Sequence, residues 1–157
     1  RTLGLPIVGP HPGDQFWIDG LAEQAARFGF APAEPFTPTR WLADGDTVAV
    51  GHSTLAVRHC PGHTPGHSAF LVTSGDSTLL VWSDTTNKPE LFVRNPDWQA
   101  MFDMDGNQAA ETRKRLLDMA SSQRLPMTGY HFPFPATGYI AKGPDGYRFV
   151  PRFWMPA

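Results

Sequence analysis

A single cysteine, Cys60, stands in a chain of 157 residues. Its isolation excludes an intrachain disulfide and a zinc site built on several thiolates. No pattern that would activate a thiol surrounds it, so Cys60 reads as a small buried filler rather than a nucleophile. No apolar run approaches membrane-spanning length. Charged residues are sparse at 18%, and the formal net charge is −2. The basic stripe of a nucleic-acid-binding surface is therefore missing. The one basic run, Arg113-Lys114-Arg115, reads as a solvated helix face. No Gly-x-Ser-x-Gly elbow occurs, which excludes a serine hydrolase of that design.

Glycine (15) and proline (16), by contrast, make up about a fifth of the chain. They are spread along it, so they mark turns between short elements rather than disorder. The length suits one domain, 1–157, large enough to bury a sizeable core. Residues 3–8 read as a short strand interrupted by Pro6. Asp14 suits the N-cap of a helix running to Phe28 and stopped by Gly29, with Trp17, Leu21, Ala25 and Phe28 on one face. Residues 47–50 and 54–58 form a hairpin, and residues 68–73 and 77–83 a second one. Residues 78–82 are nearly continuously apolar, as in a strand buried on both faces, and Asp84 stands at its C-terminal end. A long irregular stretch follows over 85–103. Asp105 and Gln108 resemble a capping box for a helix that ends near Ser122, with Ala109, Leu116, Leu117 and Ala120 as its apolar stripe. A short strand at 127–129 precedes His131, and residues 139–142 and 147–150 close the chain as a hairpin. The class is mixed α and β (α+β).

His59, His63 and His67 recur every fourth residue. Pro61, Gly62, Pro65 and Gly66 make a helix untenable there, so the three occupy a tight loop between strands. Loops at strand ends therefore offer His63, Asp84 and His131, and imidazole with carboxylate suits zinc or a similar divalent metal. Each residue also has a plainer reading. His63 could be a hydrogen-bonding loop residue, Asp84 a turn former, and His131 a core histidine between aromatic neighbours. His67 reads as support for the loop, and His11, His52 and His59 as loop, turn and strand-end residues. Phe132 and Phe134, beside His131, and Trp17 from the first helix are candidates for an apolar pocket wall, with a core role as the alternative.

The string Pro61-Gly62-His63-Thr64-Pro65-Gly66-His67 resembles the metallo-β-lactamase superfamily. The resemblance implies an αββα sandwich and assigns metal ligation to His63, to Asp84 as the bridging carboxylate, and to His131. The stretch around 14–30, Arg40-Trp41-Leu42 and Gly45-Asp46-Thr47 is similar to small glyoxalase II-type thioesterases. Val81-Trp82-Ser83-Asp84, residues 113–119, His131-Phe132-Pro133-Phe134-Pro135 and residues 146–151 are similar to the methyl parathion hydrolase and lactonase branch. The family's first metal motif, His-x-His-x-Asp-His, is absent; by resemblance it belongs upstream of Arg1, which itself opens inside what reads as an element. The fold is thus expected without its N-terminal strands, and apolar edges left exposed there favour a homo-oligomer.

What the resemblance implies for function is a hydrolase of an ester, lactone or phosphotriester, with two zinc ions if the site is complete and other divalent metals compatible. A metal-activated water would attack the substrate without a protein nucleophile. One alternative is a glyoxalase II-type hydroxyacyl-glutathione thioesterase. The other is a non-catalytic fold fragment with an incomplete metal site. The expected partner is a small-molecule substrate, with no nucleic acid and no membrane. One cysteine fits a reducing cytoplasm and fits an exported protein without disulfides as well.

Overall fold

Hairpin chemistry and one capped helix build most of the architecture. The computed structural model describes residues 3–153. Its strands are β1 (Thr47–Val50), β2 (Ser53–His59), β3 (Ser68–Ser74), β4 (Ser77–Val81), β5 (Met127–Thr128), β6 (Thr137–Gly143) and β7 (Gly146–Pro151). They form one seven-stranded sheet in sequential order. Adjacent strands are antiparallel except β4 and β5, which run parallel. That one parallel step needs a long crossover. It contains the short helix α3 (Pro89–Phe92) and the 17-residue helix α4 (Gly106–Ser122).

α4 starts where the sequence sets it. The Asp105 carboxylate accepts the Gln108 N–H at 2.9 Å, satisfying one of the helix's free donors. Ala109, Ala110, Leu116, Leu117 and Ala120 are buried on one face of the helix. Leu116, Leu117 and Ala120 pack with Ala69, Leu80, Met127 and Ile140 of the sheet and with Trp82 just past β4. Each fully buried large aliphatic in this layer contributes roughly 1.5–3 kcal/mol. Alternation along the strands sends Leu55, Phe70, Val72, Leu79 and Val81 to the opposite face of the sheet, where all five are only partly buried. The described residues thus supply one sheet with a helical layer on one face, consistent with half of an αββα sandwich.

Three expectations need correction. Residues 3–8 form no strand: Leu3 and Leu5 are exposed, and only a single bridge joins Val8 to Arg40. Pro6 lacks the N–H that a ladder needs. The first helix is two pieces, α1 (Gln15–Asp19) and α2 (Leu21–Phe28), separated at Gly20. Ile18 and Ala25 are its buried residues, whereas Trp17 and Phe28 face outward. Gly29 does end it, in the left-handed conformation at φ 68°. Finally, β4 is closed on one face only, with Leu80 buried and Leu79 and Val81 part-exposed.

The basic run on α4 also departs from a solvated face. Lys114 and Arg115 are accessible, but the Arg113 side chain is only 2% exposed. A guanidinium is tolerated there because carbonyl oxygens surround it.

Candidate metal centre

The loop bearing His63 runs from the end of β2 to the start of β3, and contacts from the start of α1, from α4 and from His59 hold it. Asp14, at the start of α1, accepts from the Gly66 N–H at 2.7 Å and the Thr64 hydroxyl at 2.9 Å. Its carboxylate makes no cap bond to the helix, contrary to the capping role expected of it. Thr112 on α4 donates its hydroxyl to the Pro61 carbonyl at 2.9 Å. Gly62, at φ 131°, lies so close to α4 that a Cβ would come within 2.3 Å of Ala109 Cα. His59 donates Nε2–H to the Pro65 carbonyl at 2.8 Å, and its ring stacks on His11 at 3.9 Å. His52 lies exposed in the β1–β2 turn, away from this loop.

His67 is internal to the same clamp. One ring nitrogen, Nδ1, lies 3.0 Å from the Cys60 carbonyl, and the other, Nε2, accepts the Asp84 backbone N–H at 3.1 Å. The pair of bonds requires a neutral ring protonated on Nδ1. Burial also pushes the His67 pKa below its ordinary value. Both ring nitrogens are thus occupied by backbone groups. Cys60 is buried as well, and burial raises its thiol pKa to about 11, which suits a filler and not a nucleophile.

Asp84 is placed by the turn after β4. Ser83 takes a left-handed φ of 55°, and its hydroxyl bonds to the Ser68 carbonyl at 3.0 Å. Asp84 Oδ1 is buried and has no hydrogen-bond donor. His131 Nε2 nevertheless approaches it to 2.8 Å. A ring nitrogen and a carboxylate oxygen converge without a bond aligned between them. Buried polar atoms are seldom left that way, and a shared cation would satisfy both.

His63 shares a neighbourhood with Asp84. It lines one small recess together with Cys60, His67, Asp84, Asp103 and Thr112. Its ring stands edge-on to that of His67 at 5.5 Å, and its Nδ1 lies 3.1 Å from Asp103 Oδ1. Asp103 and Arg113 are the neighbours of His63 that sequence reasoning missed. Their side chains are 4% and 2% exposed and approach each other to 3.8 Å. A signal for Arg113 was present: it lies four residues from both Ala109 and Leu117, on the buried stripe of α4.

The suggested pocket aromatics are dispersed. Phe132 belongs to the core, edge-on to Phe149 at 4.8 Å. Phe134 is 79% exposed. Trp17 is part-exposed on α1 beside Phe16.

As a test of fit, the donor types suit a divalent metal, and the buried, unbonded Asp84 oxygen beside His131 marks where a cation would be useful. The number of donors falls short. Among the described residues, no three His, Cys, Asp or Glu side chains group closely enough to hold a metal ion. The string His-x-His-x-Asp-His occurs nowhere in the chain. Among the described residues there is also no helix long and apolar enough to cross a membrane.

Known proteins agree with this architecture. Over 72 residues the chain is 38% identical to hydroxyacylglutathione hydrolase GloC of Haemophilus influenzae, a match covering 45% of this chain and 34% of that protein. AidC, a dizinc quorum-quenching lactonase solved with a product, superposes with a TM-score of 0.67 at 23% identity, over 74% of this chain and 38% of its own. TTHA1623 in a di-iron-bound form superposes with a TM-score of 0.59 at 26% identity, over 84% of this chain and 60% of its own. The chain therefore spans about a third of the length of the curated relative and less than two thirds of these solved neighbours. The metallo-beta-lactamase superfamily model matches residues 1–124, and with the sheet, the crossover helix and the strand-end loops in place, the chain belongs to the metallo-β-lactamase superfamily.

Proposed function

We propose that this chain carries the later-ligand part of a metal-dependent hydrolase centre, made of His63, Asp84 and His131, and that by itself it is a fold unit with an incomplete metal site. The observation that carries this reading is the buried Asp84 Oδ1, 2.8 Å from His131 Nε2 with no aligned bond, in a structure whose described residues provide no three-ligand group. His131 and Asp84 would hold one side of the cation, and His63 would offer a nitrogen from the loop after β2. A divalent metal held there supplies Lewis acidity and lowers the pKa of water toward neutrality. The chain's own part is to aim the three donors: the Ser83 turn sets Asp84, the Asp14 clamp sets the His63 loop, and packing around Phe132 sets His131.

Zinc is the metal this donor set suits best, with other divalent ions compatible. Of the possible substrates, a hydroxyacyl-glutathione thioester has the sequence support of a relative at 38% identity. An ester, lactone or phosphotriester rests on likeness in fold alone.

The test is elemental analysis of chelator-free protein, with assays on a thioester, an aryl ester and a phosphotriester. The expected result is well under one metal per chain and no turnover. Millimolar zinc should still perturb the NMR signals of His63 and His131, and Asp84→Ala should abolish that response. A full equivalent of metal with turnover, both lost in His63→Ala and His131→Ala, would overturn the incomplete-site reading.

A further inference from the structure

We propose that Asp103 and Arg113 are positioning residues for His63: the Asp103 carboxylate holds the His63 proton on Nδ1, so that Nε2 is the free donor atom, and Arg113 holds that carboxylate in place. The inference deepens the metal-centre reading and rests on it for its purpose, but the tautomer itself is a property of the metal-free chain.

The geometry is directional. His63 Nδ1 lies 3.1 Å from Asp103 Oδ1. An ionised carboxylate has acceptors only, so the bond exists only when Nδ1 carries the proton. That leaves the Nε2 lone pair, and no hydrogen bond to this nitrogen occurs among the described residues. His67 adopts the same tautomer with a different outcome, because its Nε2 is occupied by the Asp84 N–H. Two histidines four residues apart thus divide into a support with no free nitrogen and a candidate ligand with one.

Asp103 is built to do this. It is nearly fully buried, and its Oδ2 accepts the Ala100 N–H at 3.2 Å. The Arg113 guanidinium stands 3.8 Å from that Oδ2, and an opposite charge at that range offsets part of the cost of burying a carboxylate. Arg113 in turn donates to the carbonyls of Thr85 at 3.0 Å, Pro96 at 2.8 Å and Trp98 at 2.7 Å, and lies over the Phe92 ring at 5.0 Å. One side chain of α4 therefore ties down the long connection between Asp84 and Asp103. The connection is also bound to the His63 loop through the backbone: Met104 N–H donates to the His63 carbonyl at 3.2 Å, and Asp105 N–H to the Gly62 carbonyl at 2.9 Å. Ring and carboxylate are each fixed by main chain, so their pairing is preset. A carboxylate behind a ligating imidazole raises its basicity and fixes its orientation.

The experiment is a long-range 1H–15N spectrum of uniformly labelled, metal-free chain at pH 8. The expected result is His63 protonated on Nδ1. In Asp103→Ala, His63 should move toward the Nε2–H form that a free imidazole prefers, while His67 keeps its Nδ1–H signature and reports that the loop is intact. Asp103→Asn, which retains an acceptor oxygen, should shift His63 less and weaken zinc binding roughly tenfold or more. A wild-type His63 protonated on Nε2 would overturn the proposal, whether or not the variants fold. So would a His63 tautomer unmoved in Asp103→Ala with His67 unchanged. If the tautomer behaves as expected and zinc leaves the His63 nitrogens undisturbed, the positioning role stands and the ligand reading fails.

Discussion

Asp14 and Gly66 meet at 2.7 Å across 52 residues, carboxylate oxygen to backbone N–H. With the Thr64 hydroxyl on its other oxygen, Asp14 closes the loop that presents His63. Hydrogen bonds to a charged acceptor contribute about 1.5–3 kcal/mol when the group is shielded. Asp14→Ala is expected to lower unfolding stability by about that amount, and Asp14→Asn by less, since one oxygen remains. Urea unfolding of both variants measures the difference.

Gly62 carries the opposite constraint, closeness instead of attraction. Its φ of 131° disfavours a side chain, and a Cβ there would stand 2.3 Å from both the N and Cα of Ala109. Strain and overpacking each cost of order 1–3 kcal/mol. Gly62→Ala is therefore expected to lose about 3 kcal/mol or more, against a small effect for Gly51→Ala, where the turn is strained but open. Equal losses in the two variants would show that α4 does not press on the loop.

These contacts mark the boundary of what the sequence discloses. The β1–β2 and β3–β4 hairpins, the C-terminal hairpin and the Asp105 cap are local, and alternation and turn residues are enough to reveal them. Asp14 was misjudged because a residue in an N-cap position looks the same whether its carboxylate serves its own helix or a loop 50 residues away. Arg113 was misjudged because the run with Lys114 and Arg115 suggests solvent, although its spacing from Ala109 and Leu117 places it on the buried face. Asp103 lies in an irregular stretch whose course is set by Arg113, so nothing local identifies it.

The core layer offers a check on the fold independent of any site. Leu117 is fully buried between α4 and the sheet. Leu117→Ala is expected to cost about 2–5 kcal/mol, and calorimetry should show a large drop in Tm. A loss below 1 kcal/mol would mean that α4 is not seated on the sheet as described.

His67 predicts a pH dependence with a definite sign. Its folded pKa lies below the ordinary 6.5, chiefly because the ring is buried. The unfolded chain therefore binds a proton more readily than the folded one in the window just under 6.5. The stabilisation is fully present above that value and is lost as pH falls through the window to the folded pKa. His11, also shifted down by burial and by His59, acts in the same direction. Denaturant midpoints should fall between pH 8 and pH 5.5 in the wild type and fall less in His67→Asn. An equal fall in both would place the pH sensitivity elsewhere.

The last expectation concerns Asp84, where stability and metal binding pull apart. Its Oδ1 is buried without a donor, and Ser83 before it holds a left-handed φ, a conformation of order 1 kcal/mol above the usual ones. In the proposed centre that oxygen and the His131 ring nitrogen 2.8 Å away would face one cation. Asp84→Asn leaves the backbone N–H to His67 in place and removes the charge from an oxygen that accepts no aligned hydrogen bond. The variant is expected to gain about 0.5–2 kcal/mol in metal-free buffer at pH 8, the size of a common stabilising substitution. It should also lose the zinc-induced perturbation of His63 and His131. Thermal unfolding with and without zinc measures both halves. A variant less stable than wild type in metal-free buffer would mean that the chain already satisfies Asp84, and the case for a cation at that point would lose its main physical support.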